Sequence, residues 1–217
     1  MFVNYLRIDD DLDLNTFNLL RKQLPGELIS RNKRFHRFRD QQRNLFGLLL
    51  MKWIWAKQCG GGPILKNLKS TQYHRPYLPG SAVDFNISHA GDFVICVVSP
   101  EARVGIDIEK KKQVDFSEFE NTMNAMQWGQ IHASDDPEAL FYQFWCIKES
   151  VIKADGRGLS IPLDQITLTD NTVSYSHKSW FIRPFKLDHE HFGCLASDQS
   201  IAAFNVEEVH WSAVISL

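Results

Sequence analysis

The chain has 217 residues, 44% hydrophobic and 23% charged, with fifteen Phe and six Trp. That composition excludes intrinsic disorder and supplies ample apolar mass for a core. No apolar run reaches the length of about 18 residues that spans a bilayer, and the opening MFVNYLRIDDDLDL lacks the layout of a signal peptide. The formal net charge is −2, yet residues 21–43 carry eight Lys or Arg against Glu27 and Asp40, a local +6 against −8 elsewhere.

Such a basic cluster is either a solvated helix face or an anion-binding surface. The slightly acidic total argues against extended binding to a nucleic-acid backbone and for a compact polyanion. In chain order, Phe2 to Ile8 reads as a first strand before an acidic turn. Ser30 to Lys57 reads as one long helix or two joined ones, with Leu45, Leu48, Leu49, Lys52, Trp53 and Ala56 at helical spacing, stopped by Gly60-Gly61-Gly62-Pro63. The segment GGGPILK lacks the closing residues of a phosphate-binding loop, which disfavours an NTPase. A polar loop from Leu68 to Pro79 follows, then strand Asp84 to Ser88, a short hairpin connection His89 to Asp92, and strand Phe93 to Ser99. The second of these strands is apolar throughout and therefore expected to be buried on both faces.

VGIDIE, Val104 to Glu109, is a third strand, followed by a polar, helical excursion to about Pro137 and a strong helix from Leu140 to Ala154. The remainder offers short β-like runs: ITLTD, TVSYS, WFIRPFKL, IAAFNV and HWSAVISL. A helix leading to a small antiparallel sheet thus occurs on each side of about residue 103. The expected class is α+β, with two similarly built halves, 1–103 and 104–217. Cys59, Cys96, Cys146 and Cys194 form no CxxC pair and read as free thiols, mostly buried, in a reducing, cytoplasmic setting. The histidines show no HExxH spacing, and His189 and His191 read as a loop tract, so zinc is disfavoured.

Two stretches carry chemistry. In VGIDIE, strand alternation sends Val104, Ile106 and Ile108 one way and Asp107 and Glu109 the other. On an open face this carboxylate pair is unremarkable, whereas in a cleft it needs a cation, and hard oxygen ligands favour Mg²⁺. In the helix, Leu140, Phe144, Ile147, Val151 and Ala154 form the core stripe. Tyr142, Trp145, Glu149 and Lys153 fall opposite, with Lys148 on a flank. A solvated face with a Glu149–Lys153 pair worth about 0.3–0.5 kcal/mol explains the charges. It explains two large aromatics poorly. A helix with one face in the core and the other on a cleft accounts for all four. If Glu149 faces Asp107 and Glu109, three carboxylates converge as a magnesium site, with Lys148 and Lys153 placed for phosphates.

Strand GIDIE (Gly105 to Glu109) followed by WCIKESVIK (Trp145 to Lys153) resembles the two-part signature of the Sfp-type 4′-phosphopantetheinyl transferases. Upstream pieces agree: Arg34, Phe35, Asp40 and Arg43, then Tyr73 to Tyr77, then FNISHAGDF, with GLSIPL following the second motif. The resemblance covers about residues 30 to 165. It implies transfer of the phosphopantetheine arm of coenzyme A to a serine of an apo acyl or peptidyl carrier protein, releasing 3′,5′-ADP. It further implies Asp107, Glu109 and Glu149 as Mg²⁺ ligands, Lys148 and Lys153 near the pyrophosphate, and Ser88, His89 and Arg43 on coenzyme A phosphates. Arg75 stands at the adenine, Arg31 lies in a basic loop reaching the phosphates, and the site sits at the seam of two pseudo-twofold halves in a monomer.

The sequence departs from the family in two places. Gln127 stands nearest to a Glu that many relatives carry between the signatures, which leaves the general base open among Glu149, a metal-bound water and another group. His74-Arg75 replaces the usual Gly-Lys. Two other readings compete: a different magnesium-dependent phosphoryl-transfer enzyme on the same acids, and a non-catalytic module binding RNA or an acidic protein through residues 21–43.

Overall fold

The computed structural model describes residues 1–175, 177–202 and 204–216. The chain begins with strand β1 (Phe2–Arg7), helices α1 (Leu14–Arg21), α2 (Gly26–Asn32) and α3 (Phe38–Gln58), and a short α4 (Ile64–Asn67). The helical stretch expected over Ser30 to Lys57 is thus two helices. They break at Lys33 to Arg37, where five successive exposed side chains bury nothing. Next come β2 (Lys69–Ser70), β3 (Pro76–Tyr77), β4 (Asp84–Ala90), β5 (Phe93–Ser99) and β6 (Val104–Lys110). Helix α5 (Ala125–His132) lies in the excursion that leads to the long α6 (Pro137–Asp155). The chain then forms β7 (Thr167–Thr169), β8 (Thr172–Tyr175), β9 (Lys178–Lys186), β10 (His191–Ser197), β11 (Val206–Glu208) and helix α7 (Trp211–Ile215).

Two main sheets result, in strand orders β11-β1-β5-β4 and β6-β10-β9-β8-β7, and the class is α+β as expected. β5 is buried at every position. Its Val94, Cys96 and Val98 pack toward α3, while Phe93, Ile95 and Val97 meet Ile106, Ile108 and Leu195 of the second sheet in a shared core. α6 covers the other face of the second sheet. No helix is long and apolar enough to cross a membrane among the described residues.

Three features of the C-terminal region differ from the sequence reading. HWSAVISL is not a strand: α7 starts at the His210 cap and sets Trp211, Val214 and Ile215 at helical spacing against α3. Of IAAFNV, only Val206 enters a strand, residue 203 lying outside the described residues. That strand, β11, pairs in parallel with β1, so the first sheet is not purely antiparallel and draws on both ends of the chain. Finally, the tract holding His191 is not loop but the start of β10, the strand next to β6. His191 is buried, its Nδ1 2.9 Å from Asp188 Oδ1.

The two sheets meet edge to edge without a backbone ladder. β4 and β6 run in the same direction, and alternate side chains of β4 accept the N–H groups that β6 turns away from β10. Val104 N–H donates to Asp84 Oδ2 at 2.9 Å, Ile106 N–H to Asn86 Oδ1 at 3.0 Å, and Ile108 N–H to Ser88 Oγ at 3.4 Å. Helix α6 crosses β6 so closely that a Cβ on Gly105 would lie 2.1 Å from the Ser150 carbonyl oxygen and 2.4 Å from the Ala154 nitrogen. Backbone on both sides leaves no side chain to move aside. Gly105→Ala is therefore expected to destabilise the fold by about 3 kcal/mol or more, whereas Gly129→Ala on the exposed face of α5 should gain about 0.5–1 kcal/mol. Urea unfolding of the two variants measures both, and comparable stabilities would refute the close-approach account.

Candidate active site

Strand alternation on β6 turns Gly105, Asp107 and Glu109 toward α6, opposite to Ile106 and Ile108 in the shared core. α6 itself is fixed at both ends. Asp136 caps its start by accepting the Ala139 N–H at 3.0 Å, and Gly156, at φ 87°, closes its last turn in the left-handed region. Between these stops the helix is buried well beyond one stripe, Cys146, Lys148, Ser150 and Ile152 included.

Lys153 Nζ reaches Asp107 Oδ1 at 2.6 Å and donates to Ser88 Oγ at 2.8 Å; the Ser88 hydroxyl in turn donates to Asp107 Oδ1 at 3.0 Å. Asp107 is 2% exposed, and its second oxygen, Oδ2, is buried with no protein partner. Trp145, stacked on Phe141, donates its indole N–H to Glu109 Oε1 at 3.3 Å. Burial, then the charges of Asp107 and Glu149, push the Glu109 carboxyl up to about 7 against the pull of Lys153 and the indole. Glu149 is raised by burial and by Asp107, with Lys153 opposing. Burial pulls the Lys153 pKa down, but Asp107, Glu149 and Glu109 outweigh it and raise it, holding the ammonium charged.

A cavity of about 190 Å³ lies beside this cluster, with His89 in its wall next to Ser88. Arg31, Lys69 and Ser70 line it on one side, and Leu28, Leu48, Phe85 and Ile87 supply apolar surface. Arg31 Nη1 donates to Ser70 Oγ at 3.2 Å. His89 opens to the surface, but desolvation within the cleft, followed by the charges of Lys153 and Arg43, lowers its pKa. Arg43 holds the β4–β5 turn, donating from Nε to the Gly91 carbonyl at 2.9 Å, with Asp40 on Nη1 at 2.8 Å.

Three residues singled out in the sequence stand apart. The Lys148 ammonium is buried and donates to the Leu163 carbonyl at 2.7 Å, away from the carboxylates. Arg75 is buried with its guanidinium turned inward onto Asp84. Gln127 closes the capping box of α5, its side-chain oxygen accepting the Asn124 N–H at 3.1 Å. The free thiols are as expected, with Cys96, Cys146 and Cys194 buried.

Among the described residues no three acid, His or Cys side chains form a ready-made metal cage. The donor set nevertheless suits a hard divalent cation. One buried carboxylate oxygen lacks a partner, and two neighbouring carboxyls are raised partly by their repulsion from it.

The sequence as a whole matches a known family. A model of the 4′-phosphopantetheinyl transferase N-terminal region matches residues 13–101, and one of the 4′-phosphopantetheinyl transferase superfamily matches residues 103–204. A 4′-phosphopantetheinyl transferase of Bacillus subtilis is 33% identical over 194 residues, which cover 85% of this chain and 86% of that protein. The chain belongs to the 4′-phosphopantetheinyl transferase superfamily. The transferase Sfp of Bacillus subtilis strain 168 is 31% identical over 166 residues, 72% of this chain and 74% of its own. A Xenopus laevis L-aminoadipate-semialdehyde dehydrogenase-phosphopantetheinyl transferase is 28% identical over 191 residues, 73% of this chain and 63% of its own.

In this superfamily member, Trp145 and Ser88 do more than their motifs suggest. The aromatic on the charged face of α6 is a hydrogen-bond donor to an acid on β6, and the serine is both a strand-to-strand link and a partner of Lys153. The raised Glu109 carboxyl has a thermodynamic signature. The folded state keeps its proton between about 4.5, the ordinary value, and about 7, so stability falls as pH rises through that window and the penalty is constant above it. Glu109→Gln should remove the penalty. Without divalent cations, its melting temperature should match the parent near pH 4.5 and exceed it increasingly up to pH 7. A pH-independent difference would contradict the raised value.

Proposed function

We propose that this superfamily member transfers the 4′-phosphopantetheine arm of coenzyme A to a serine of an apo acyl or peptidyl carrier protein, releasing 3′,5′-ADP. The observation that carries the reading is the Asp107 carboxylate, which holds Lys153 on one buried oxygen and leaves the other open beside Glu109 and Glu149. The names of the relatives support the class of reaction, and the cavity, where Arg31 and Lys69 outnumber Glu27, supports an anionic substrate. Many of the basic residues of segment 21–43 are engaged within the protein, Arg39 with Asp92 and Arg43 with Asp40 among them. That favours a compact anion over a long polyanionic strand.

In this reading the nucleotide end of coenzyme A enters the cavity, and Arg31, Arg43, Ser88 and His89 meet its phosphates. Asp107, Glu109 and Glu149 would hold Mg²⁺, which when bound neutralises the pyrophosphate and offsets the repulsion among the three carboxylates. The serine oxygen of the carrier attacks the phosphorus that bears pantetheine, and the bond to the adenosine-side phosphate breaks. Glu149 accepts the serine proton. The Lys153 ammonium, held charged by its neighbours, meets the negative charge on the departing phosphate. Gln127, engaged in the helix cap, takes no part.

The finer architecture follows the same reading: two similar halves divided at about residue 103 and related by a pseudo-twofold axis, each pairing a sheet with one long helix, with β11 and α7 returning to the first half. The reaction centre lies at their junction, built from one chain, as a monomer requires. Three buried free thiols fit a reducing, cytoplasmic setting.

Incubation with coenzyme A, Mg²⁺ and apo carrier proteins of fatty-acid, polyketide and peptide synthesis, followed by intact-mass measurement, tests the activity. A mass gain equal to the phosphopantetheine arm is expected. It should vanish on chelation or in Glu149→Ala, and slow by about 100-fold or more in Lys153→Met. Failure to modify any of these carriers would falsify the proposal.

A further inference from the structure

Arg75 is 5% exposed, and its guanidinium reaches three separate elements of the protein. Nη1 and Nη2 grip Asp84 of β4 as a fork, at 2.9 Å to Oδ1 and 2.7 Å to Oδ2. Nη2 also donates to the Val104 carbonyl of β6 at 3.0 Å, and Nε to the carbonyl of Lys153 in the last turn of α6 at 2.9 Å. Lys153 is therefore held at both ends, by Arg75 at its carbonyl and by Asp107 and Ser88 at its ammonium.

The backbone of Arg75 belongs to another part of the site. It closes the tight turn begun by Thr71, whose N–H donates to the Arg75 carbonyl at 2.9 Å and whose hydroxyl accepts the Arg75 N–H at 3.2 Å. On either side of this turn, Lys69, Ser70 and Pro76 line the cavity. One residue thus has its main chain in the turn whose flanks line the cavity and its head group on the helix of Glu149 and Lys153. Gly156 shows how closely the parts fit, since a Cβ there would lie 2.5 Å from Arg75 Cδ and 2.8 Å from Arg103 Nη2. Arg103 extends the arrangement, donating to the Ala154 carbonyl at 2.7 Å and the Asp155 carbonyl at 3.2 Å. A lysine at 75 could not reproduce it, because an ammonium has no planar fork to grip a carboxylate and two carbonyls at once.

We infer that Arg75 is a positioning residue: a clamp that locks the wall of the nucleotide cavity to the end of α6, so that seating coenzyme A and placing the Lys153 ammonium are one structural event. This rests on the functional reading above for what fills the cavity, while the clamp itself rests on the hydrogen bonds.

The test is a double-mutant cycle of Arg75→Lys with Lys153→Met, read in kcat for carrier modification and in the calorimetric Kd for coenzyme A. Arg75→Lys in the parent should lower kcat about tenfold and weaken Kd about threefold, whereas in Lys153→Met the loss of kcat should shrink to within about twofold. The weaker Kd should persist in both backgrounds. A merely structural role predicts the same loss of kcat with or without Lys153, and that result, or an unchanged Kd, overturns the clamp. If Arg75→Lys fails to fold, Asp84→Asn weakens the same fork and enters the same cycle. Should the parent modify no carrier, the functional reading fails on its own. The Kd for coenzyme A then still decides the clamp, since an affinity unmoved by Arg75→Lys contradicts it.

Discussion

The junction of β4 with β6 is the constraint on which the rest depends. Two sheet edges meet there, and ordinary edges either pair through their backbones or must be shielded from doing so. Here Asp84, Asn86 and Ser88 stand in for the missing carbonyls and satisfy three alternate N–H groups of β6. The residues that make this link are also those that organise charge. Asp84 gathers Arg75 and the end of α6, and Ser88 carries Lys153 and Asp107. The same alternation that sews the sheets together aims the polar ends of both strands at one spot.

What accumulates at that spot is unfavourable by itself. Three carboxyls and a lysine share a region where burial raises Glu109 and Glu149 and opposes the charge on Lys153. The Lys153–Asp107 pair relieves part of this, and the open Asp107 oxygen marks what remains. Because one counter-charge cannot balance three acids, the arrangement is poised to gain from a divalent cation and an anionic ligand together rather than from either alone.

Much of this was legible in the sequence. Period-two alternation in VGIDIE separated Asp107 and Glu109 from the apolar face, and the helical stripe separated Glu149 and Lys153 from the core. Both rules are local and survive whatever the tertiary structure adds. What the sequence did not show was where two polar ends turn: Lys148 and Arg75 lie in the expected segments, but they point to Leu163 and Asp84, partners that local periodicity does not specify. β10 escaped notice because Gly193 and small residues blunt its strand signal, although pairing with β6 and β9 buries it completely. β11 was invisible as a partner of β1, since nothing local to Val206–Glu208 says which edge it will cover.

The return of β11 to β1 bears on how the chain is made. During synthesis the first sheet emerges with β1 and β4 as bare edges, the latter studded with side-chain acceptors that have nothing yet to accept. β6 covers one edge soon afterwards, but the other waits until residues 206–208 have left the ribosome. For most of translation, then, the N-terminal half is a sheet able to pair with a neighbouring nascent chain. Arg7, exposed at the end of β1, and the acidic run that follows it place charge beside that edge. Charge of this kind blunts edge-to-edge pairing while the last strand is awaited.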